Sequence, residues 1–230
     1  MDAATARPRK SRRERPAKPA LTYDGIISTA VQLVGSEGLE RLTMRRLAAE
    51  LDTGPASLYV YVANTAELHA AILDVFLGEV EVSPVAADGD WRDGLVAVLQ
   101  SYTRVLLRHA ALAQSALTAR PSGPHYLAVL ERLLELLRAG SVPDGQAAWG
   151  VDILLQVATA TAVEQSIRDR DAATAGDEDA ALRQALDSAD ESHPRIAALH
   201  DDLVSGSPED RLDWTFRMLI TGIQETARPR

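Results

Sequence analysis

Two arginines, a serine and two tyrosines gather within a short stretch of the chain: Arg45, Arg46, Ser57, Tyr59 and Tyr61. A guanidinium pairs with phosphate and, through two parallel hydrogen bonds, reads the edge of guanine. Hydroxyls reach phosphate oxygens or base edges, and a tyrosine ring or the side chain of Val60 can meet a thymine methyl. This inventory suits a duplex better than it suits bond-making chemistry. The alternative is that the tyrosines pack inward and the segment joins two longer helices. Groupings that would do catalysis are not legible. The five histidines (His69, His109, His125, His193 and His200) form no i, i+4 metal pair, and the chain has no glycine-rich phosphate loop or nucleophile motif. With no cysteine there is neither a disulfide framework nor a thiolate metal site. No catalytic residue, metal site or cofactor is assigned.

The charge distribution agrees with a nucleic-acid partner at one end. The net charge of the 230 residues is −9, but residues 1–19 carry seven basic side chains against Asp2 and Glu14. That is a net of +5 on the arm and leaves −14 on the remainder. A basic arm on an acidic body is the asymmetry of a DNA-binding end joined to something else; a merely solubilising tail is the other reading. The arm, residues 1–20, has three prolines and little to bury, and is expected to be disordered. No apolar run approaches the roughly 18 residues of a membrane span, and no apolar stretch follows the basic residues as in a secretory signal, so a cytoplasmic protein without a membrane partner is expected.

The elements that position these residues read as helices throughout. Aromatics are scarce, so the core must come from Leu, Val, Ile and Ala, a bias toward an all-α fold. Thr22 can cap a first helix whose Ile26, Ile27, Ala30, Val31 and Val34 form one stripe, ending at Gly38. Thr43 opens a second with Leu47, Ala48 and Leu51 inward, stopping near Asp52. Gly54-Pro55 opens a third, and Asn64-Thr-Ala-Glu67 reads as a capping box for a fourth to about residue 79. Further helices are expected over about 90–109, 112–118, 122–139, 144–168, 193–204 and from Ser207 onward, with 169–191 an acidic, Ala-rich mobile loop holding at most a turn of helix. Only Asp52-Thr53-Gly54 separates the second helix from the third, which is the form of a helix-turn-helix. Leu58 and Val62 would anchor the third helix, leaving Ser57, Tyr59, Val60 and Tyr61 outward for the major groove. The division expected is a DNA-binding domain over 21–66 and a larger bundle over 67–230.

The first helix ending at Glu37-Gly38, the Leu42-Thr43-x-Arg45-x-Leu47-Ala48 opening, the Ser57-Leu58-Tyr59 centre and Leu68 together resemble the DNA-binding domain of the tetracycline-repressor (TetR) family of bacterial regulators. The resemblance implies that Arg45 contacts a base and Thr43 a phosphate, with Arg46 beside them. It implies that Ser57 and Tyr59 touch backbone or bases while Pro55, Ala56, Val60 and Tyr61 lie along the groove. Two departures stand out: Asp52 replaces a usual glycine, and Thr65 replaces a usual phosphate-binding lysine. The basic arm is expected to compensate for the latter, so deleting residues 1–19 should flatten the salt dependence of DNA binding.

Asp90-Trp91-Arg92-Asp93, Leu117-Thr-Ala-Arg120-Pro121, Tyr126 and Gly140 are similar to the ligand-binding half of the tetracycline-repressor type. That similarity implies a pocket drawn from Tyr102, Leu106, Leu117, Arg120, Leu133, Trp149 and Gln156. Core packing is the competing role for Trp149 and Gln156, and a turn role for Arg120. The drug-binding pair of the type falls on Glu81 and Val98 and its metal-binding histidine on Ala116, which implies an effector other than a tetracycline–magnesium complex. The helices at about 144–168 and 207–226 resemble a dimer-forming pair, and Trp214 and Met218 lie off the Leu212–Phe216–Leu219–Ile223 stripe. The whole implies a homodimeric repressor on a palindromic double-stranded DNA operator, released when an apolar or aromatic small molecule shifts the fourth helix; an activator or an architectural DNA binder without an inducer is the alternative.

Overall fold

The computed structural model describes residues 20–82, 89–117, 121–170, 172–189 and 192–229, and among these all regular structure is helical. The basic arm and Arg120 lie outside the described residues. Helix α1 (Tyr23–Glu37) starts where the Thr22 hydroxyl accepts the Gly25 N–H at 3.1 Å. Its inner face buries Ile26, Ile27, Ala30 and Leu33, with Val31 and Val34 half-buried against the same core. A 3₁₀ turn (Leu39–Arg41) leads to α2 (Met44–Glu50), capped by the Thr43 side chain on the Arg46 N–H at 3.1 Å. The chain reverses at Asp52, whose φ of 47° is one that Asp tolerates better than most residues. Helix α3 (Pro55–Leu58) is a single turn, shorter than the segment to Val62 expected from the sequence. Tyr59, Val60 and Tyr61 follow as a turn, closed by the N–H groups of Tyr61 and Val62 on the Leu58 carbonyl, because aromatic and β-branched residues prolong a helix poorly.

Helix α4 (Thr65–Leu77) belongs to both halves of the molecule. Asn64 accepts the Glu67 N–H at 2.9 Å; the returning Glu67 carboxylate takes the N–H of Ala63 rather than that of Asn64, one residue earlier than in the standard box. One side of α4 packs on α1. The other packs on α6 (Ala110–Ala116) and α7 (Pro124–Ala139). Helix α5 (Trp91–Arg108), capped by Asp90, forms the axis of the second half and contacts α7, α8 (Asp144–Arg170) and α12 (Pro208–Glu225). Leu95, Leu99 and Leu106 on its inner face are fully buried, each worth about 1.5–3 kcal/mol of transfer from water. Gly150 lets α12 approach α8: a Cβ there would stand 2.7 Å from an Ile223 methyl. Ser207 and Asp210 complete a reciprocal capping box at the start of α12.

Two expectations need correction. Much of the acidic segment expected as a loop is α9 (Ala172–Asp187), because its alanines and leucines favour a helix more than its acids oppose one. The helix expected over 193–204 is two pieces, α10 (Pro194–Ala198) and α11 (His200–Val204), broken at Leu199. His200 lies between Asp187 of α9 at 2.8 Å and Asp201 at 3.1 Å. Among the described residues no helix is long and apolar enough to cross a membrane.

Candidate DNA-reading surface and effector cavity

The helix-turn-helix presents its polar residues by burying the apolar ones between them. Leu58 and Val62 are fully buried, and this fixes the outward face of the short reading element. Thr43, Arg45, Pro55, Ala56, Ser57, Tyr59, Val60, Tyr61 and Thr65 are all exposed on this part of the molecule. Val60 is 81% exposed, an apolar side chain that none of the described residues covers. The two arginines that adjoin in sequence differ in state. Arg45 makes no ion pair among the described residues. Arg46 is engaged, with its Nη2 at 2.5 Å from Glu37 and its Nη1 at 2.8 Å from Glu50. Those bonds hold the Glu37 carboxyl below the usual carboxylate range and raise the guanidinium value further. Arg46 thus braces α1 against α2, while Arg45 beside it stays exposed. Tyr61 is also tied: its hydroxyl donates to the Leu21 carbonyl at 2.7 Å and fixes the chain that enters α1. Its ring remains on the surface, its hydroxyl does not remain free.

In the second half, a cavity of about 110 Å³ lies where α5, α6, α7 and α8 meet. Tyr102 of α5 and Tyr126 of α7 provide aromatic walls, Ala116, Leu117 and Pro121 one end, and Asp152, Leu155, Gln156 and Thr159 of α8 the opposite side. Thr159 donates its hydroxyl proton to the Leu155 carbonyl at 2.8 Å, so the Tyr102 hydroxyl is the donor in the 3.1 Å bond between the two. Burial pushes the Tyr102 phenol up to about 12, so it stays protonated and keeps its one proton on Thr159. Of the sequence-derived pocket residues, Tyr102, Leu117 and Gln156 line this cavity. Leu106 and Leu133 are completely enclosed in the core and show it no surface. Trp149 is elsewhere: half-exposed on the outer face of α8, its ring lies under the Arg228 guanidinium at 4.6 Å beside Ile153 and Met218. Helix α8 is apolar on several sides, so its sequence could not tell the cavity side from the outer one. The reading missed Asp152, Leu155 and Thr159; the run of small residues from Ala158 to Ala162 was the available signal that α8 passes close to a neighbour. Ala116 stands in the wall and Val98 is buried in the core, and neither has a donor atom for a metal; Glu81 is exposed. Among the described residues no cluster of three potential metal ligands occurs.

Comparison with known proteins covers both halves. The model for bacterial regulatory proteins of the tetR family matches residues 26–72, and that for the tetracyclin repressor-like C-terminal domain matches residues 83–227. The HTH-type transcriptional repressor DrrR1 of Streptomyces coeruleorubidus is 38% identical over 133 residues; the match takes in 58% of this chain and about half, 49%, of that protein. The crystal structure of SCO7704 from Streptomyces coelicolor, described as a candidate transcription regulator, is 55% identical with a TM-score of 0.79, covering 93% of this chain and 99% of that one. The Streptomyces coelicolor TetR family protein ActR, solved in complex with actinorhodin, is 38% identical with a TM-score of 0.74, covering 89% and 97%. From its reading helices to its last helix, this chain belongs to the TetR family: it is a ligand-responsive, DNA-binding regulator of transcription with a C-terminal half of tetracycline-repressor type.

Proposed function

We propose that the protein is a homodimeric cytoplasmic repressor that leaves a palindromic operator when an aromatic small molecule, bound without a metal ion, enters the cavity between α5 and α8. The observation that carries this reading is the cavity wall: Tyr102 and Tyr126 line it, and Ala116, onto which the resemblance places the metal-binding histidine of the type, has no donor atom for a metal. ActR, which was crystallised with actinorhodin, supports an aromatic ligand of similar kind. At about 110 Å³ the cavity is smaller than the ~150 Å³ that admits benzene. A ligand of more than one ring would overfill it and press on its walls, and the end formed by Leu117, Pro121 and Tyr126 adjoins α4. Displacement of α4 would carry α1 to α3 with it and take the two reading elements out of step with major grooves about 34–36 Å apart. On DNA, Arg45 would read a base, with Thr43, Ser57, Tyr59 and Thr65 on the backbone and Val60 against a thymine methyl. The outer face of α8 and α12, with Trp149, Ile153, Trp214 and Met218 exposed, supplies the apolar surface for the partner protomer. A gel-shift on the DNA upstream of the protein's own gene tests the reading. Actinorhodin should release the complex, and tetracycline with magnesium should not. Release by the tetracycline complex alone would overturn the metal-free effector, and no binding to any palindrome in that DNA would overturn local repression.

A further inference from the structure

Helix α7 begins without a cap of its own. Gly123 precedes it with no side chain to offer, and Pro124 has no N–H, so the first donors of the helix are the N–H groups of His125 and Tyr126. Both are taken by one carboxylate from another helix. Asp74 of α4 accepts the Tyr126 N–H on Oδ1 at 2.9 Å. Its Oδ2 accepts the His125 N–H at 3.4 Å and faces the His125 ring Nδ1 at 3.1 Å. Asp74 is only 5% exposed, an acid enclosed against Gly123, His125 and Tyr126, and it sits at the positive end of the α7 dipole. The fit leaves no slack: a Cβ on Gly123 would stand 2.2 Å from the Asp74 Cγ.

The two ends of this link are functional regions. Pro121 and Tyr126, on either side of the capped residue, both line the effector cavity. On the other side, Asp74 shares a cleft with Tyr23, Asp24 and Ile27 of α1, the helix that supports the reading element. We propose that Asp74 is a positioning residue, the strut through which displacement of the cavity wall at Pro121–Tyr126 is carried into α4 and the DNA-reading helices. The proposal rests on the effector-released reading above. A cap made by a short, buried, multiply bonded carboxylate moves as one piece with the helix start it holds, whereas apolar contacts between α4 and α7 can slide. Pushing the start of α7 outward must either pull α4 along or break all the Asp74 bonds together.

Hydrogen exchange on the full chain, without DNA or effector, tests this. Asp74→Asn keeps the shape and one acceptor but gives up an acceptor oxygen; His125→Ala removes only the ring donor and serves if Asp74→Asn does not fold. Val129→Ala, a buried α7 residue one turn beyond the cap that bonds to none of its groups, gives the baseline for simple destabilisation of that helix. Losing a helix cap should speed exchange at His125 and Tyr126 about fivefold to tenfold. The strut adds a second expectation: exchange also quickens in α1 and α4 with Asp74→Asn, more weakly with His125→Ala, and beyond that seen with Val129→Ala. Acceleration confined to the start of α7, or no greater in α1 than for Val129→Ala, reduces Asp74 to a local cap and overturns the proposal. Because no effector or DNA is present, failure of actinorhodin to release DNA would leave this result standing and would count against the effector reading alone.

Discussion

The reading surface and the effector cavity are made in opposite ways. On α2, α3 and the turn that follows, the proposed DNA contacts are side chains the fold leaves over: Arg45, Ser57, Tyr59 and Val60 are exposed while Leu58 and Val62 are fully buried beneath them. In the cavity the proposed effector site is space the side chains leave open, where Ala116 ends short and Thr159 and Tyr102 bond to each other. A surface of the first kind tolerates change until a contacting group is lost. A cavity of the second kind is altered by any added carbon. The same contrast recurs between the two neighbouring arginines, one without an ion pair among the described residues and one consumed by Glu37 and Glu50.

The largest effect should come from beneath the reading surface. Leu58→Ala removes a fully buried side chain and should cost about 2–5 kcal/mol, seen as a lower urea midpoint and a loss of operator binding. An unchanged midpoint would mean that the short helix is not anchored as described. Next, Arg45→Ala should weaken binding to the preferred operator tenfold to a hundredfold and relax discrimination at one base pair. Arg46→Ala should leave base discrimination intact and loosen the α1–α2 contact instead. Equal loss of discrimination in both variants would break the distinction. The smallest effect concerns pH. Burial lowers the values of His69 on α4 and of His109, which stacks on Phe76 of α4 at 3.7 Å. The unfolded chain therefore takes up protons first, so this stability is present above the ordinary imidazole value of 6.5 and is lost as pH falls below it. Urea midpoints on either side of pH 6.5 should show the decline, and His109→Phe should flatten it.

What was legible in the sequence was what is local. Thr22, Thr43, Asn64 and Ser207 each cap the helix that follows them, so each beginning could be read from a few adjacent residues. The burial of Leu58 and Val62 followed from their spacing alone. Arg46 shows the limit: its partner Glu50 lies one turn along the same helix, whereas Glu37 comes from α1 and only the fold brings it near. Trp149 and Tyr102 are both aromatic residues on largely apolar helices, and only packing puts one outside and one in the cavity. The α9 helix was hidden because its acids outweighed its alanines in the reading of the segment. Asp74 left a fainter trace, an acid inside the otherwise apolar run from Ala70 to Leu77, with partners 51 and 52 positions away.

The central claim is that the cavity controls the reading surface, and Ala116→Leu tests it most directly. The substitution fills much of the 110 Å³ cavity without touching α1 to α3. Operator affinity should be measured for wild type and variant by fluorescence anisotropy, with and without actinorhodin. The account predicts equal affinity without the compound, and release of wild type but not of Ala116→Leu when it is added. Release of both proteins at the same concentration of compound would contradict it.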